Sequence, residues 1–467
     1  MTQPDSYSSA RLIAPPRRPA LAWLLTTGAL VILILALIMP LWLPRLVRSI
    51  IPDRYIVAYA PDFVQDIVFN TASGRALPTL APIPAVAEQQ LFADLASRAG
   101  TPTPLPTVAA VIPSQPTPGG PTPTVTPALI PQGVTPPPAP VSPIQNYVLL
   151  TGFTYDAQGW NNCGPTTLAM GLSYWGLEDD QFEVANALKP DPEDSNVSPH
   201  ELTAYARSRG LGAIWRINGE LDTLKQLLSE GYPVLIERGF DELPEQDWMG
   251  HYMLLVGYSE AEQSFYALDS YWGLHNWHED MNFPYDTWGY TRLDDLWRHF
   301  NRTYLVVYPP QDYENIAAII GDDMNDQVML QTALQRAYNE VSGYDDTFAW
   351  YNLGSVLTKL GDYQNAATAF DLARERGLPW RMYWYHFDLY EAYYQAGRYE
   401  DLLTLALYTA DPTNYPESEE AHYYSGLVYQ ARGQTTAARN AFNRALRYNP
   451  TFQPARTALE QLDAGGG

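Results

Sequence analysis

Gln158-Gly159-Trp160-Asn161-Asn162-Cys163-Gly164-Pro165-Thr166 contains the only cysteine among 467 residues, and its reading decides both the fold and the chemistry. Gly164 and Pro165 sit where a chain turns into a helix, and Thr166–Trp175 continues that helix with Leu168, Leu172 and Trp175 on one side. The thiol therefore stands at a helix N-terminus. Backbone N–H groups there favour the thiolate and lower the pKa from ~8.5. The same groups, joined by a side-chain amide such as Gln158, suit the oxyanion of an acyl-transfer intermediate. The bland alternative is a buried structural cysteine, which polar neighbours and a helix start argue against.

A thiol nucleophile needs a base, and the chain has seven His. His386 and His422 fall in the repeats described below, and His299 in a helix beside Trp297. His200 belongs to Ser198-Pro199-His200-Glu201, a capping box opening a helix to Arg209. His275 and His278, with Glu279 and Asp280, make only a weak metal pattern, so neither metal nor cofactor is expected. His251 differs, because it follows Trp248-Met249-Gly250 and heads the strand Tyr252–Tyr258. One hairpin later Asp269 ends the strand from Ser264. In an antiparallel pair the end of the second strand lies beside the start of the first, so Asp269 can orient the His251 imidazole. Further strands are expected at Tyr147–Thr154, Pro233–Glu237 and Thr303–Tyr308, with a helix over Asp222–Glu230. A helix followed by antiparallel strands makes an α+β domain. Trp160, Trp248, Tyr252 and Trp272 are candidates to line a substrate cleft or to fill the core.

A helix-initiating Cys-Gly-Pro, an upstream Gln, a Gly-His-Tyr strand and a downstream Asp resemble papain-like cysteine peptidases of family thirty-nine, relatives of the bacteriocin-processing peptidases that cut after a double glycine. The resemblance covers residues 144–310. It implies Cys163 as nucleophile, His251 as general base and acid, Asp269 as its orienter and Gln158 as oxyanion donor. Gln158 precedes the cysteine by five residues, whereas the papain-like pattern has six. The Gly-x-x-x-x-Gly-Lys-Ser/Thr signature of an ATP-binding cassette is absent from the sequence, which leaves the substrate open.

Residues 347–450 repeat themselves. Gly361, Gly397 and Gly433 are 36 residues apart, and Ala366, Phe370 and Ala373 recur as Ala438, Phe442 and Ala445. Small residues at fixed offsets let paired helices approach, and Gly ends the first helix of each pair. The pattern resembles the tetratricopeptide repeat, which implies an all-α solenoid over 311–467. Residues 325–340 read as one more helix of the stack and 452–463 as a polar cap. Such a stack offers a groove for an extended peptide or partner helix, or it only buttresses its neighbour. Tyr351, Tyr383, Tyr385, Tyr394 and Tyr423 are expected mostly in the inter-helix core.

Towards the N-terminus, residues 19–43 form an apolar run without charge, long enough at ~30 Å to cross a bilayer as a single transmembrane helix. Proline and tryptophan follow where a small-residue cleavage site would be needed, so an uncleaved anchor is read, behind a cytoplasmic tail at 1–18. Arg11, Arg17 and Arg18 before the run nearly balance Arg45, Arg48 and Arg54 after it. After a juxtamembrane segment at 44–100, residues 101–143 hold 15 Pro and no charge. That composition predicts a polyproline stalk reaching up to ~130 Å, as used to carry domains clear of a cell surface. The later domains are thus expected outside the cytoplasm.

The formal charge is −24 overall. Residues 1–100 carry eight Arg against six acids and 101–155 no charge, so 156–467 hold −26. A body that acidic disfavours nucleic acid and anionic lipid as partners. The expectation is a membrane-anchored, extracytoplasmic thiol peptidase whose repeats bind a peptide or protein partner. The alternatives are a catalytically idle surface scaffold and a transpeptidase or amidase using the same thiol.

Overall fold

The computed structural model describes residues 86–99, 144–191, 196–241, 248–271, 285–410 and 418–465, with 78, 80–84 and 194. The expected anchor at 19–43 and the stalk at 101–143 lie outside these residues. Among the described residues no helix is long and apolar enough to cross a membrane.

In chain order the elements are α1 (Ala87–Ala99), β1 (Tyr147–Leu149), α2 (Cys163–Tyr174), α3 (Gln181–Leu188), α4 (Pro199–Ser208), β2 (Gly212–Arg216), α5 (Leu221–Ser229), β3 (Val234–Phe240), β4 (Met249–Ser259), β5 (Ser264–Leu268), β6 (Asp286–Gly289), α6 (Tyr290–Trp297), β7 (Tyr304–Tyr308) and α7 (Tyr313–Ile320). The strands form one antiparallel sheet in the order β2-β7-β3-β4-β5-β6, with β1 also paired to β4.

Side chains alternate between the two faces of the sheet. Leu235, Leu254, Val256 and Leu305 pack with Leu168 and Leu172 of α2 and Leu202 of α4. Val234, Ile236, Met253, Leu255 and Val306 pack with Leu224 and Leu228 of α5, Leu293 of α6 and Ile316 of α7. Both faces of β3 and β4 are therefore covered, and each removes apolar surface from water.

Four elements were not expected from the sequence, one of them helix α7, whose Ile316 packs on the sheet although its residues were assigned to the repeat region. Strands β2 and β6 are short and carry no clear alternation, and they exist because β7 and β5 offer free edges. Helix α3 did leave a signal. Asp180 caps it by accepting from the Glu183 amide, and the Glu183 carboxylate accepts from Asp180 N–H. The expected capping box at Ser198 is present, with Ser198 N–H donating to Glu201 at 2.8 Å.

The remaining helices are α8 (Asp326–Tyr344), α9 (Thr347–Lys359), α10 (Tyr363–Glu375), α11 (Asp388–Gln395), α12 (Tyr399–Thr409), α13 (Glu419–Ala431), α14 (Thr435–Tyr448) and α15 (Gln453–Gly465). They stack as hairpins α9/α10, α11/α12 and α13/α14. Gly361, Gly397 and Gly433 all have positive φ, at 80°, 74° and 70°, which is why each turn needs glycine. Helix α1 packs on this stack. Leu91 and Leu95 join its core, the Phe92 ring meets Tyr338 and Trp350, and Glu88 pairs with Arg376 at 3.0 Å. Part of the repeat surface is thus covered by the chain's own segment.

A polar and aromatic joint links the sheet domain to the helices. Arg298 makes a two-pronged contact with Asp346 at 3.1 and 2.6 Å, and His299 stacks on Phe348. Arg302, about one-tenth exposed, grips Asp294 at 2.6 and 3.0 Å and Glu340 at 2.5 Å. Removing one partner of such a buried network leaves uncompensated charge. Arg302→Ala should therefore lower stability by about 3 kcal/mol, read as a drop in the urea midpoint of the full chain. An unchanged midpoint would mean that the joint contributes nothing.

Candidate active site

Cys163 is the first residue of α2, with Asn162 at the N-cap. The opening amides of a helix have no intrahelical partner and point outward beside the thiol. The turn before it is held from a distance by Gln181, the first residue of α3. Gln181 Oε1 accepts from Gly159 N at 2.7 Å, Asn162 Nδ2 at 2.8 Å and Thr166 Oγ1 at 3.1 Å. Its Nε2 donates to Asp156 Oδ2 at 2.8 Å and Ala157 O at 3.0 Å. One buried amide thus ties together five groups of the segment that presents the cysteine.

His251, on β4, lies beside the thiol, close enough for each group's charge to act on the other. Its Nε2 lies 2.8 Å from Asp269 Oδ1, which leaves Nδ1 for Cys163. The β4–β5 register, with Leu254 opposite Leu268, creates this proximity. Asp269 is itself fixed three ways. Oδ1 also accepts from Tyr271 N at 2.8 Å, and Oδ2 from Arg238 Nη2 at 3.1 Å. Arg238 is fully buried, stands opposite His251 in the β3–β4 ladder, and lies over the Trp288 ring at 4.2 Å.

The charges in this chain of contacts reinforce one another. Burial pushes the Cys163 thiol up, but the neighbouring His251 imidazole, with further help from Tyr252 backbone and Lys189, leaves it below its ordinary value. Burial pushes His251 down, yet Asp269 and then Cys163 bring it up to about 9. Burial raises Asp269, while His251 and Arg238 hold it at about 2. Each of these shifts works in the direction of a thiolate beside an imidazolium, with an ionised carboxylate behind it.

A narrow cavity of about 10 Å³, room for one water-sized group, adjoins the thiol. Asn161, Cys163, Glu237, His251, Tyr252 and Tyr385 are among its lining residues. Of the residues expected to line a cleft, Tyr252 does so, its hydroxyl fixed to Val197 O at 3.0 Å. Trp248 does not. It stacks on Phe300 and donates to His299 Nδ1 at 3.1 Å, so it belongs to the joint with the repeats. Trp160 is half-buried in the turn before α2 and is not part of the lining. Trp272, like His275 and His278, lies outside the described residues.

Gln158 was expected beside the thiol as an oxyanion donor. Its Oε1 accepts from Ser270 Oγ at 2.8 Å and its N–H donates to Ser270 O at 3.0 Å, so it bridges to the end of β5 and does not line the cavity. The Ser270 hydroxyl engages the Gln158 carbonyl oxygen, not the Nε2 that an oxyanion would need.

Four residues of the site were not found from the sequence. Arg238 and Glu237 lie on the part of β3 around and beyond its expected end, and Gln181 opens an unexpected helix. Tyr385 was expected in the inter-helix core, but it reaches the cavity from the repeat region, just after the turn Trp380–Trp384. A Cβ at Gly250 would lie 3.0 Å from the Tyr385 ring, so the glycine permits this approach.

Gln181→Leu keeps the volume and strips the partners from Gly159, Asn162, Thr166 and Asp156. It should cost about 2 kcal/mol or more and slow alkylation of Cys163, whereas a purely peripheral amide would change neither.

Residues 144–295 match the model of the Peptidase_C39 like family. Residues 349–373 and 419–452 match tetratricopeptide repeat models. Two solved structures also align. One is described as a C39-like peptidase from Bacillus anthracis, at 15% identity over 35% of this chain and 98% of that one, with a TM-score of 0.28. The other is xylellain, a cysteine protease from Xylella fastidiosa, at 14% identity over 36% and 88%, with a TM-score of 0.29. No curated protein matches this chain. The chain carries a Peptidase_C39-like domain followed by tetratricopeptide repeats.

Proposed function

We propose that the domain is a working thiol peptidase in which Cys163, His251 and Asp269 perform acyl-enzyme hydrolysis. The observation that carries this reading is the helix-initiating thiol sharing one cleft with His251, whose Nε2 lies 2.8 Å from Asp269 Oδ1. The Cys163 thiolate attacks a peptide carbonyl, and the first amides of α2 face the oxyanion. The His251 imidazolium gives its proton to the leaving amine as the C–N bond breaks, leaving a thioester. Neutral His251 then takes a proton from water, hydroxide displaces the thiolate, and the acid is released. Asp269 holds the imidazole in place and stabilises its charge, while Arg238 keeps Asp269 ionised.

In the same proposal, residues 19–43 anchor the chain in a membrane, the proline-rich stalk spaces it, and the peptidase and repeats work on the extracytoplasmic side. A single thiol suits an oxidising exterior, since it has no intramolecular partner for a wrong disulfide. The repeats hold a peptide or protein partner on the surface that α1 leaves uncovered, raising the local concentration of substrate near the site.

Because the thiol is held low and the imidazole is raised to about 9, the ion pair spans the pH range between them. Alkylation of Cys163 should therefore stay fast well below pH ~8.5, where an ordinary thiol slows tenfold per unit. In His251→Ala the rate should fall with pH like an ordinary or buried thiol. Ordinary behaviour in the parent chain would favour the idle scaffold. Product formed only when an amine acceptor is supplied would favour the transpeptidase.

A further inference from the structure

Glu237 lines the cavity beside the thiol, yet the chemistry above does not use it. It is 2% exposed, and its Oε2 has no hydrogen-bond partner of good geometry, the nearby Tyr252 hydroxyl donating to Val197 O. A buried carboxyl oxygen without a partner is costly, and a charge of that sign beside a thiolate is more so. The cations nearby are committed elsewhere. Arg238 is bound to Asp269, and Lys189 donates to Asp194 O at 2.8 Å. Desolvation holds the Glu237 carboxyl well above the usual carboxylate range, which favours the neutral acid while the cavity is empty. Two aromatic rings, Tyr252 from β4 and Tyr385 from the repeats, line the same cavity. Aromatic faces and a carboxylate are the two groups that bind ammonium and guanidinium ions. The acidic body, −26 over residues 156–467 by the count above, also draws cations towards the site.

We propose that this cavity is a subsite for a positively charged group of the substrate, with Glu237 as its counter-ion and Tyr252 and Tyr385 as its walls. The inference rests on the peptidase reading and specifies its substrate class: peptides that place a cation next to the bond being cut. On binding, Glu237 releases its proton to solvent and the substrate cation takes its place. The cation can be a Lys or Arg side chain or the amino terminus of the peptide, since both present the same chemistry. Tyr385 makes the repeats part of the specificity of the site, in addition to any partner they bind.

The lone thiol gives a test that needs no known substrate. Cys163 in the full chain is alkylated by 2-bromoethylammonium and by neutral iodoacetamide, each rate being divided by that for free cysteine. The ratio of cationic to neutral reagent should be about tenfold or more in the parent chain and fall towards one in the isosteric Glu237→Gln. A ratio near one in the parent chain overturns the proposal without recourse to any variant. The absolute iodoacetamide rate and its dependence on His251 test the peptidase reading separately, so the two can fail independently. Competition then identifies the source of the cation. Slowing by amino-blocked Lys or Arg peptides assigns the side chain, and slowing only by unblocked peptides lacking Lys and Arg assigns the terminus. Equal competition by norleucine and lysine peptides, all amino-blocked, would also overturn it.

Discussion

Everything at the site depends on one buried carboxylate. Asp269 sits in the interior with its two oxygens divided between His251 and Arg238. An ionised carboxylate without partners would be expelled or protonated there. With a guanidinium on one side and an imidazole on the other it stays charged, and that charge raises His251, which in turn lowers Cys163. The sheet supplies the geometry: β3 brings Arg238, β4 brings His251 and the end of β5 brings Asp269. The thiol comes from the opposite side, on the helix that packs against this sheet through Leu168 and Leu172.

The helical repeats are not a separate appendage to this arrangement. Arg298 and Arg302 anchor them through carboxylates, Trp248 and His299 fill the seam with aromatic contacts, and Tyr385 extends across Gly250 to the cavity. The same stack accepts α1 on another surface, through Leu91 and Leu95. A module with the composition of a partner-binding solenoid therefore spends part of its surface on its own chain. What it contributes to the site is one ring.

Much of this was legible in the sequence, for identifiable reasons. A helix starting at Cys163 could be read because Gly-Pro and the Leu168/Leu172 spacing are local signals. The His251–Asp269 pair followed from one hairpin, which needs only register counting between neighbouring strands. The glycines of the repeats were readable because a left-handed turn admits few other residues. The tie of Gln158 to Ser270 was not legible, because the two are more than a hundred residues apart and no local pattern announces it. Trp248 misled for the same reason, since an aromatic next to a glycine looks alike whether it faces a cleft or a neighbouring domain.

By itself the sequence determined those features whose causes lie within one or two turns of chain: the thiol at a helix start, the hairpin that carries His and Asp, the capping box at Ser198 and the period of the repeats. Tertiary structure alone decided which distant groups surround them. Arg238 came opposite His251 because β3 runs on to Phe240, Gln181 came under the cysteine turn because α3 folds back on it, and Tyr385 came to the cavity because the repeats dock on β4. Glu237 is a glutamate like many others in an acidic chain until the sheet buries it beside a thiol with one oxygen unpartnered. Burial and partner geometry are properties of packing between segments far apart in sequence, and they are what turn an ordinary side chain into a functional one.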